Sequence, residues 1–135
     1  MTRYLLDTNH ISGVWKRDPR VLSRIDATSD GEFSLCLPSI GELWYMVFNS
    51  TQVARNEVGL VKLLDSFVVW PFDAAAAKQF GRIKTSLRRI GRPIPDVDVQ
   101  IAAVTIANGL TLLSADAHFA HVQGLRVENW LNAPS

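Results

Sequence analysis

Arg3-Tyr4-Leu5-Leu6-Asp7-Thr8-Asn9 is a short apolar run that ends abruptly in an aspartate, followed by two residues that start helices. It is too short to carry helical periodicity and reads as a buried strand. Thr8 or Asn9 then serves as N-cap for a short helix from Ile11 to Lys16. Asp7 is thereby placed at the carboxyl end of a central strand, the edge at which open α/β sheets gather their ligands. An aspartate that merely caps the next helix is the competing reading, and carboxylates later in the chain bear on the choice.

Outward from this stretch, strands and helices alternate. Asp18-Pro19 starts a helix with Val21, Leu22 and Ile25 on one face, proline being welcome in a first turn. Asp30-Gly31 marks a turn, and Phe33 to Leu37 reads as a second strand stopped by Pro38. Ile40, Leu43, Trp44, Val47 and Phe48 then form a full amphipathic stripe. Glu42 lies roughly 160–200° around from that stripe, at 100° per residue. It is either the far end of a capping box beginning at Ser39 or a carboxylate presented beside Asp7. Gln52 to Phe67 forms a further helix, and Val68 to Trp70 a third strand ended by Pro71.

Asp73 caps a long helix reaching Ile90, with Phe80, Ile83, Leu87 and Ile90 along one side. Lys78, Arg82, Lys84, Arg88 and Arg89 lie mostly on the other side, and Arg92 follows. No acid occurs between Asp73 and Asp96, so the segment presents either a solvated face or a basic surface able to hold phosphates. Gly91 to Pro95 breaks the chain. Asp96 caps the helix Val97 to Asn108, Asp98 lies in its first turn, and Gly109 is its C′ residue. Leu110 to Leu113 is a fourth strand ending in Ser114-Ala115-Asp116, and Arg126 to Glu128 is a last one. The alternation predicts an α/β fold, a central, mainly parallel twisted sheet flanked by helices.

At 135 residues the chain is one domain, able to bury roughly 65–70% of its unfolded surface. Hydrophobic residues make up 47% and charged residues 20%, an ordinary soluble balance. The net charge of +1 gives no overall attraction to nucleic acid. The single cysteine, Cys36, cannot form an internal disulfide and reads as a buried, inert thiol in a reducing cytoplasm. No leader pattern and no membrane-length apolar stretch is present.

Strand C-termini and the N-termini of the following helices share one edge of such a sheet. Asp7, Glu42, Asp98 and Asp116 are therefore expected to converge on one cleft. Like charges at short range cannot all ionise without a counter-ion, and a divalent metal resolves the conflict. All-oxygen ligation suits Mg²⁺ or Mn²⁺. The chemistry such a site supports is phosphodiester hydrolysis by a metal-activated water, which needs no 2′-hydroxyl and leaves a 5′-phosphate.

Four segments resemble the signature motifs of PIN domains: Leu5-Leu6-Asp7-Thr8-Asn9, Ser39-Ile40-Gly41-Glu42-Leu43, Asp98-Val99-Gln100-Ile101-Ala102-Ala103 and Leu113-Ser114-Ala115-Asp116-Ala117-His118-Phe119. The likeness is nearest to the VapC-type toxins of bacterial toxin–antitoxin pairs. It runs over nearly the whole chain, including the Gly124-Leu125 turn and the Asn129-Trp130 end. The resemblance implies a PIN-like domain over residues 1–135, acting as a magnesium-dependent endoribonuclease. It implies a homodimer held inactive by a cognate VapB-type antitoxin whose tail fills the acidic cleft. Promoter DNA would be met only through the antitoxin. By position, Asp7, Glu42, Asp98 and Asp116 are the metal-site acids. Thr8 or Asn9 and Ser114 support them by hydrogen bonds. Asp96 is an extra acid two residues before the expected one, so either it or Asp98 is the ligand, and Asp98 fits the motif.

Other classes fit less well. A haloacid-dehalogenase-type phosphatase needs a second aspartate where Asn9 stands, and a receiver domain needs a lysine that Leu110 to His121 lacks. Metal-free ribonucleases pair histidines. His118 and His121 are one turn apart but are commonly packing or polar residues, and His10, near Asp7, reads either as a substrate contact or, better, as a helix-face histidine. A PIN-like domain that only binds RNA or protein would not need all four acids. Trp15, Trp44 or Tyr45 offer dimer packing, against a core role for tryptophan.

Overall fold

Among the described residues, five short strands lie side by side, and all of them run the same way. The structure, a computed structural model, describes residues 2–132; Met1 and the last three residues of the expected domain lie outside that range. In chain order the elements are β1 (Arg3–Leu6), α1 (Thr8–Trp15), α2 (Pro19–Ala27), β2 (Glu32–Cys36), α3 (Leu37–Phe48) and α4 (Val53–Leu64). They continue with β3 (Val68–Trp70), α5 (Ala74–Arg89), α6 (Asp96–Ala107), β4 (Thr111–Leu113), a 3₁₀ turn (Ala117–His121) and β5 (Arg126–Glu128). The sheet order is β3-β2-β1-β4-β5, with every pairing parallel. The chain builds outward from β1 to β3, then crosses back to continue on the other side. The switch in direction falls between β1 and β4, where sheets of this kind open a crevice beyond their strand ends.

Successive strand residues face opposite sides of a sheet, and the two cores follow that alternation. Leu5, Cys36, Leu110 and Leu112 pack with Ile83 and Leu87 of α5 and with Val99, Ile101 and Val104 of α6. Tyr4, Leu6, Leu35 and Leu113 pack on the other face with Ile11, Val21, Ile40, Leu43, Val47, Leu60 and Trp130. Between them, Ser34 is buried but satisfied. Its hydroxyl donates to the Tyr4 carbonyl at 2.9 Å and accepts from Trp70 Nε1 at 2.9 Å, tying three strands together. Among the described residues no helix is long and apolar enough to cross a membrane.

The helix ends obey local chemistry with some departures from expectation. Asp73 caps α5 through the Ala76 amide at 3.0 Å, as its sequence suggests. Asp18 caps α2 and pairs with Arg20 at 2.7 Å. Helix α1 begins at Thr8, and its N-cap is Asp7 itself, neither Thr8 nor Asn9. Pro38 does not separate β2 from the next helix. It sits in the first turn of α3, which starts directly from the strand and has Cys36 as N-cap with no side-chain bond. Ser39 is then inside the helix, its hydroxyl 3.4 Å from Cys36 Sγ, and the capping box with Glu42 does not form. Asp96 does not cap α6 either. Pro95 holds the cap position, and Asp96 turns out to meet Lys84 at 3.0 Å. Phe48 and Ile90 complete their stripes in sequence but lie exposed at the C-terminal ends of their helices.

Helices α5 and α6 close with the same device. Arg92 N bonds to the Leu87 carbonyl and Gly91 N to that of Arg88, while Leu110 N bonds to Thr105 and Gly109 N to Ile106. Both glycines take positive φ, +70° and +63°, as this C-terminal motif requires. Helix α1 closes identically, with Arg17 N on Val14 and Asp18 N on Gly13, yet the left-handed position holds Arg17 at φ 58°. A side chain there costs about 1–2 kcal/mol, partly offset by the freedom glycine loses on folding, about 0.5–1 kcal/mol. Arg17→Gly is therefore expected to raise stability in urea denaturation by about 0.5–1 kcal/mol. An unchanged or lowered midpoint would mean that the arginine side chain offsets its own strain.

Candidate active site

Asp7 stands at the switch point. Its amide extends the β1–β4 ladder by donating to the Leu113 carbonyl at 2.9 Å, which aims the side chain across the strand ends. Oδ1 accepts from the Thr8 amide at 2.7 Å and Oδ2 from the Ser114 hydroxyl at 2.8 Å. The carboxylate is buried. Desolvation, with smaller contributions from the charges on Asp98 and Glu42, pushes its pKa up to about 6 against the pull of Ser114 and Thr8. A carboxylate that merely capped a helix would be held low instead.

The other three acids come from separate elements. Glu42, one turn into α3, accepts the Thr8 hydroxyl at 2.9 Å, so Thr8 links it to Asp7 through adjacent amide and hydroxyl groups. Asp98 is buried in the first turn of α6, a helix apolar on nearly every side. Asp116 follows β4, and its amide donates at 3.0 Å to the same Ser114 hydroxyl that holds Asp7. Among the described residues no lysine or arginine forms a salt bridge with any of the four.

Of the supporting residues read from the sequence, Thr8 and Ser114 make these bonds. Asn9 acts one step further out, its Oδ1 accepting from His10 Nδ1 at 2.8 Å and from the Ala115 amide at 3.4 Å. Asp96 points away toward Lys84. That contact places the C-terminal half of α5 beside the start of α6, at the end of the molecule where Asp98 lies. Arg82, Arg88, Arg89 and Arg92 are all exposed and make no salt bridge among the described residues.

Two histidines have roles the sequence did not reveal. His118 Nδ1 lies 2.6 Å from Asp98 Oδ2 and 3.3 Å from Asp116 Oδ1. Asp98, Asp116 and His118 each offer a ligand atom, all within 4.8 Å of one another. The hydrogen bond to Asp98, then the charges on Asp116 and Asp98, hold the His118 pKa above its usual value. The signal was the Asp116-Ala117-His118 spacing, in which the aspartate accepts the amide of the histidine two residues on at 2.9 Å. His10 is fully buried, not a helix-face residue. Its Nε2 accepts the Trp130 amide at 3.0 Å, so Nδ1 carries the hydrogen toward Asn9. No local signal marked that contact, which spans 120 residues. Cys36 is buried and its thiol pKa is raised by burial, an inert group as expected.

A parallel α/β sheet with carboxylates gathered at its switch point defines a class of protein, and the relatives name the family. The PIN domain family model matches residues 4–125. Ribonuclease VapC2 of Haemophilus influenzae is 33% identical over 133 residues, covering 97% of this chain and 100% of the relative. The tRNA(fMet)-specific endonuclease VapC of Shigella flexneri is 30% identical over 131 residues, covering 96% and 99%. In fold, the chain resembles VapBC2 from Rickettsia felis, solved bound to a DNA fragment from its promoter, with a TM-score of 0.89 at 24% identity over 96% of this chain and 99% of that one. The chain belongs to the PIN domain family, among its VapC ribonucleases.

Burial lowers the His10 pKa from 6.5 to about 4, with a smaller effect of the Arg24 charge. The unfolded chain thus takes up this proton at higher pH than the folded protein does, so stability falls as pH drops from about 6.5 to 4. The shift is worth on the order of 3 kcal/mol. His10→Gln keeps an acceptor for the Trp130 amide and does not titrate. In urea denaturation of the metal-free protein, the parent is expected to lose roughly 3 kcal/mol more than His10→Gln between pH 7 and pH 4. Parallel profiles would refute the assignment.

Proposed function

We propose that this protein is the toxin of a VapBC-type toxin–antitoxin module, a divalent-metal-dependent endoribonuclease whose site is built from Asp7, Glu42, Asp98 and Asp116. The observation that carries the reading is the crowding of these acids at one sheet edge. There Asp7 is buried with a pKa pushed up to about 6 by desolvation and by its acidic neighbours. Such an arrangement calls for a cation, and its mostly carboxylate donor set suits Mg²⁺ or Mn²⁺. When bound, the ion supplies a water of lowered pKa and positive charge against the leaving oxygen. Hydrolysis would add a water oxygen to phosphorus and break the P–O3′ bond. The proton goes to the 3′-oxygen, and the phosphate stays on the 5′ side of the downstream fragment.

The chain's own groups hold the stage. Ser114 and the Thr8 amide fix both oxygens of Asp7, and Thr8 steadies Glu42. Arg82, Arg88, Arg89 and Arg92 are assigned to the RNA backbone, supported by the Lys84–Asp96 contact that brings this helix end toward Asp98. A cognate VapB-type antitoxin, a homodimer and a cytoplasmic setting belong to the same reading. The exposed Tyr45, Met46 and Phe48 of α3 and Val58 and Val61 of α4 support a protein-covered face. Promoter DNA is met through the antitoxin.

The test begins with metal and RNA together. Purified protein incubated with mixed cellular RNA is expected to cut it only with Mg²⁺ or Mn²⁺ present and to leave 5′-phosphates. The same ions should raise the melting temperature, and more at pH 7.5 than at pH 5, because protonated Asp7 competes with them. Glu42→Gln keeps the oxygen that accepts from Thr8 but loses the charge. It is expected to fold normally and to cut at least about 100-fold more slowly. Full activity in that variant, or indifference to every divalent ion, would sink the reading.

The arginine assignment has its own readout. Arg88 and Arg89 both changed to alanine should weaken binding to all RNAs about equally and make its salt dependence shallower, without altering the preferred cleavage sequence. A loss confined to one sequence would mean that these arginines read bases. No change in either quantity would return α5 to a solvated face.

A further inference from the structure

The turn after β4 does more than deliver Asp116. Because Asp116 Oδ1 accepts the His118 amide at 2.9 Å, the bond that sets the carboxylate also sets the root of the imidazole. The His118 ring then leans inward, Nδ1 first, to 2.6 Å from Asp98 Oδ2 and 3.3 Å from Asp116 Oδ1. Two ligand atoms at right angles on a cation with bonds of about 2.1 Å stand roughly 3 Å apart. The two separations from His118 lie on either side of that value, and the three ligand atoms all fall within 4.8 Å of one another, a grouping compact enough to close on one ion. Hydrogen bonding to Asp98 alone would not require the ring to face Asp116 as well.

We propose that His118 Nδ1 is itself a ligand of the divalent cation, beside Asp98 and Asp116, which makes the centre a mixed nitrogen–oxygen site. The inference rests on the metal-site reading above and goes beyond its carboxylate set. It has a consequence for metal choice. Carboxylates alone suit Mg²⁺ and Mn²⁺, whereas an imidazole adds affinity for Co²⁺ and Ni²⁺ with little effect on Mg²⁺. The site therefore binds the softer ions more tightly than four acids would.

The experiment uses tag-free full-length protein, since a polyhistidine tag would supply imidazoles of its own, and Mn²⁺ as the spectroscopic probe. Pulsed electron paramagnetic resonance of the Mn²⁺-loaded protein should show coupling to ¹⁴N, and His118→Gln should abolish it. His118 is about half exposed, so the variant is expected to fold, which circular dichroism checks. Titrations should show Co²⁺ and Ni²⁺ affinity falling about tenfold or more in the variant, with Mg²⁺ affinity changed less than twofold. Glutamine retains an amide donor for Asp98, so a residue that only positions that carboxylate would leave the metal preference unmoved. Mn²⁺ bound without ¹⁴N coupling in the parent, or coupling that persists in the variant, overturns the proposal for His118 and leaves the acidic site standing. Failure of both proteins to bind Mn²⁺ overturns the metal-site reading and this inference with it.

Discussion

The constraint on which the rest of this structure depends is a carboxylate, Asp7, buried at the point where the sheet reverses its direction of growth. Raising its pKa from 3.8 to about 6 amounts to on the order of 3 kcal/mol against the ionised form. The folded pKa is the higher one. The stability linked to this proton is therefore present below about pH 4 and lost as pH rises through 6. Against a typical domain stability of about 5–15 kcal/mol, that is a large local strain at neutral pH. Four neighbours of Asp7 bear on it. The Thr8 amide and the Ser114 hydroxyl relieve it, while Asp98 and Glu42 deepen it.

Topology explains how acids so far apart in sequence reach one place. With the order β3-β2-β1-β4-β5 and all strands parallel, the ends of β1 and β4 and the starts of α3 and α6 open on the same edge. Many sheets of this class put a glycine-rich turn there and use backbone amides to hold a phosphate. Here the amide after β1 is turned on Asp7 instead, so the edge presents negative charge. The complementary positive charge lies on α5, and a net charge of +1 conceals this separation of signs.

Much of this was legible in the sequence because it rests on local rules. The apolar runs at Leu5-Leu6 and Leu112-Leu113 read as strands, and Gly109 as the residue that follows a helix, whereas Gly91 read only as part of a breaker and its helix-closing role came from the fold. What misled was competition between two local rules. At Pro38 the stop signal and the first-turn preference gave different boundaries. The first-turn preference prevailed because β2 runs into α3 with no intervening loop, which also removed Ser39 from its supposed cap. Asp96 likewise looked like a cap until Lys84, from a neighbouring helix, gave it another partner. The histidines were hidden for a different reason. His118 gains its meaning from Asp98, on another element, and His10 from Trp130 near the far end of the chain. A pattern of single residues cannot carry a contact that only the fold creates.

His10 also shows how the end of the chain bears on the acidic edge. Trp130 is buried against Tyr4 and Phe33, with ring centroids 4.9 and 5.8 Å away, which anchors the segment after β5 to the face of the sheet carrying α1–α4. Its backbone amide then has no strand partner and donates to His10. That bond fixes the tautomer of His10, whose other nitrogen donates to Asn9, and Asn9 accepts the Ala115 amide. Ala115 lies between Ser114 and Asp116, the two residues that carry the β4 side of the site. Packing at Trp130 is thus converted, through one neutral imidazole, into the position of the loop that holds Asp116. The imidazole can play this part only while uncharged, since a protonated ring would place a second hydrogen against the Trp130 amide. Burial thus keeps His10 neutral and raises the pKa of Asp7, two groups three residues apart at the junction of β1 and α1.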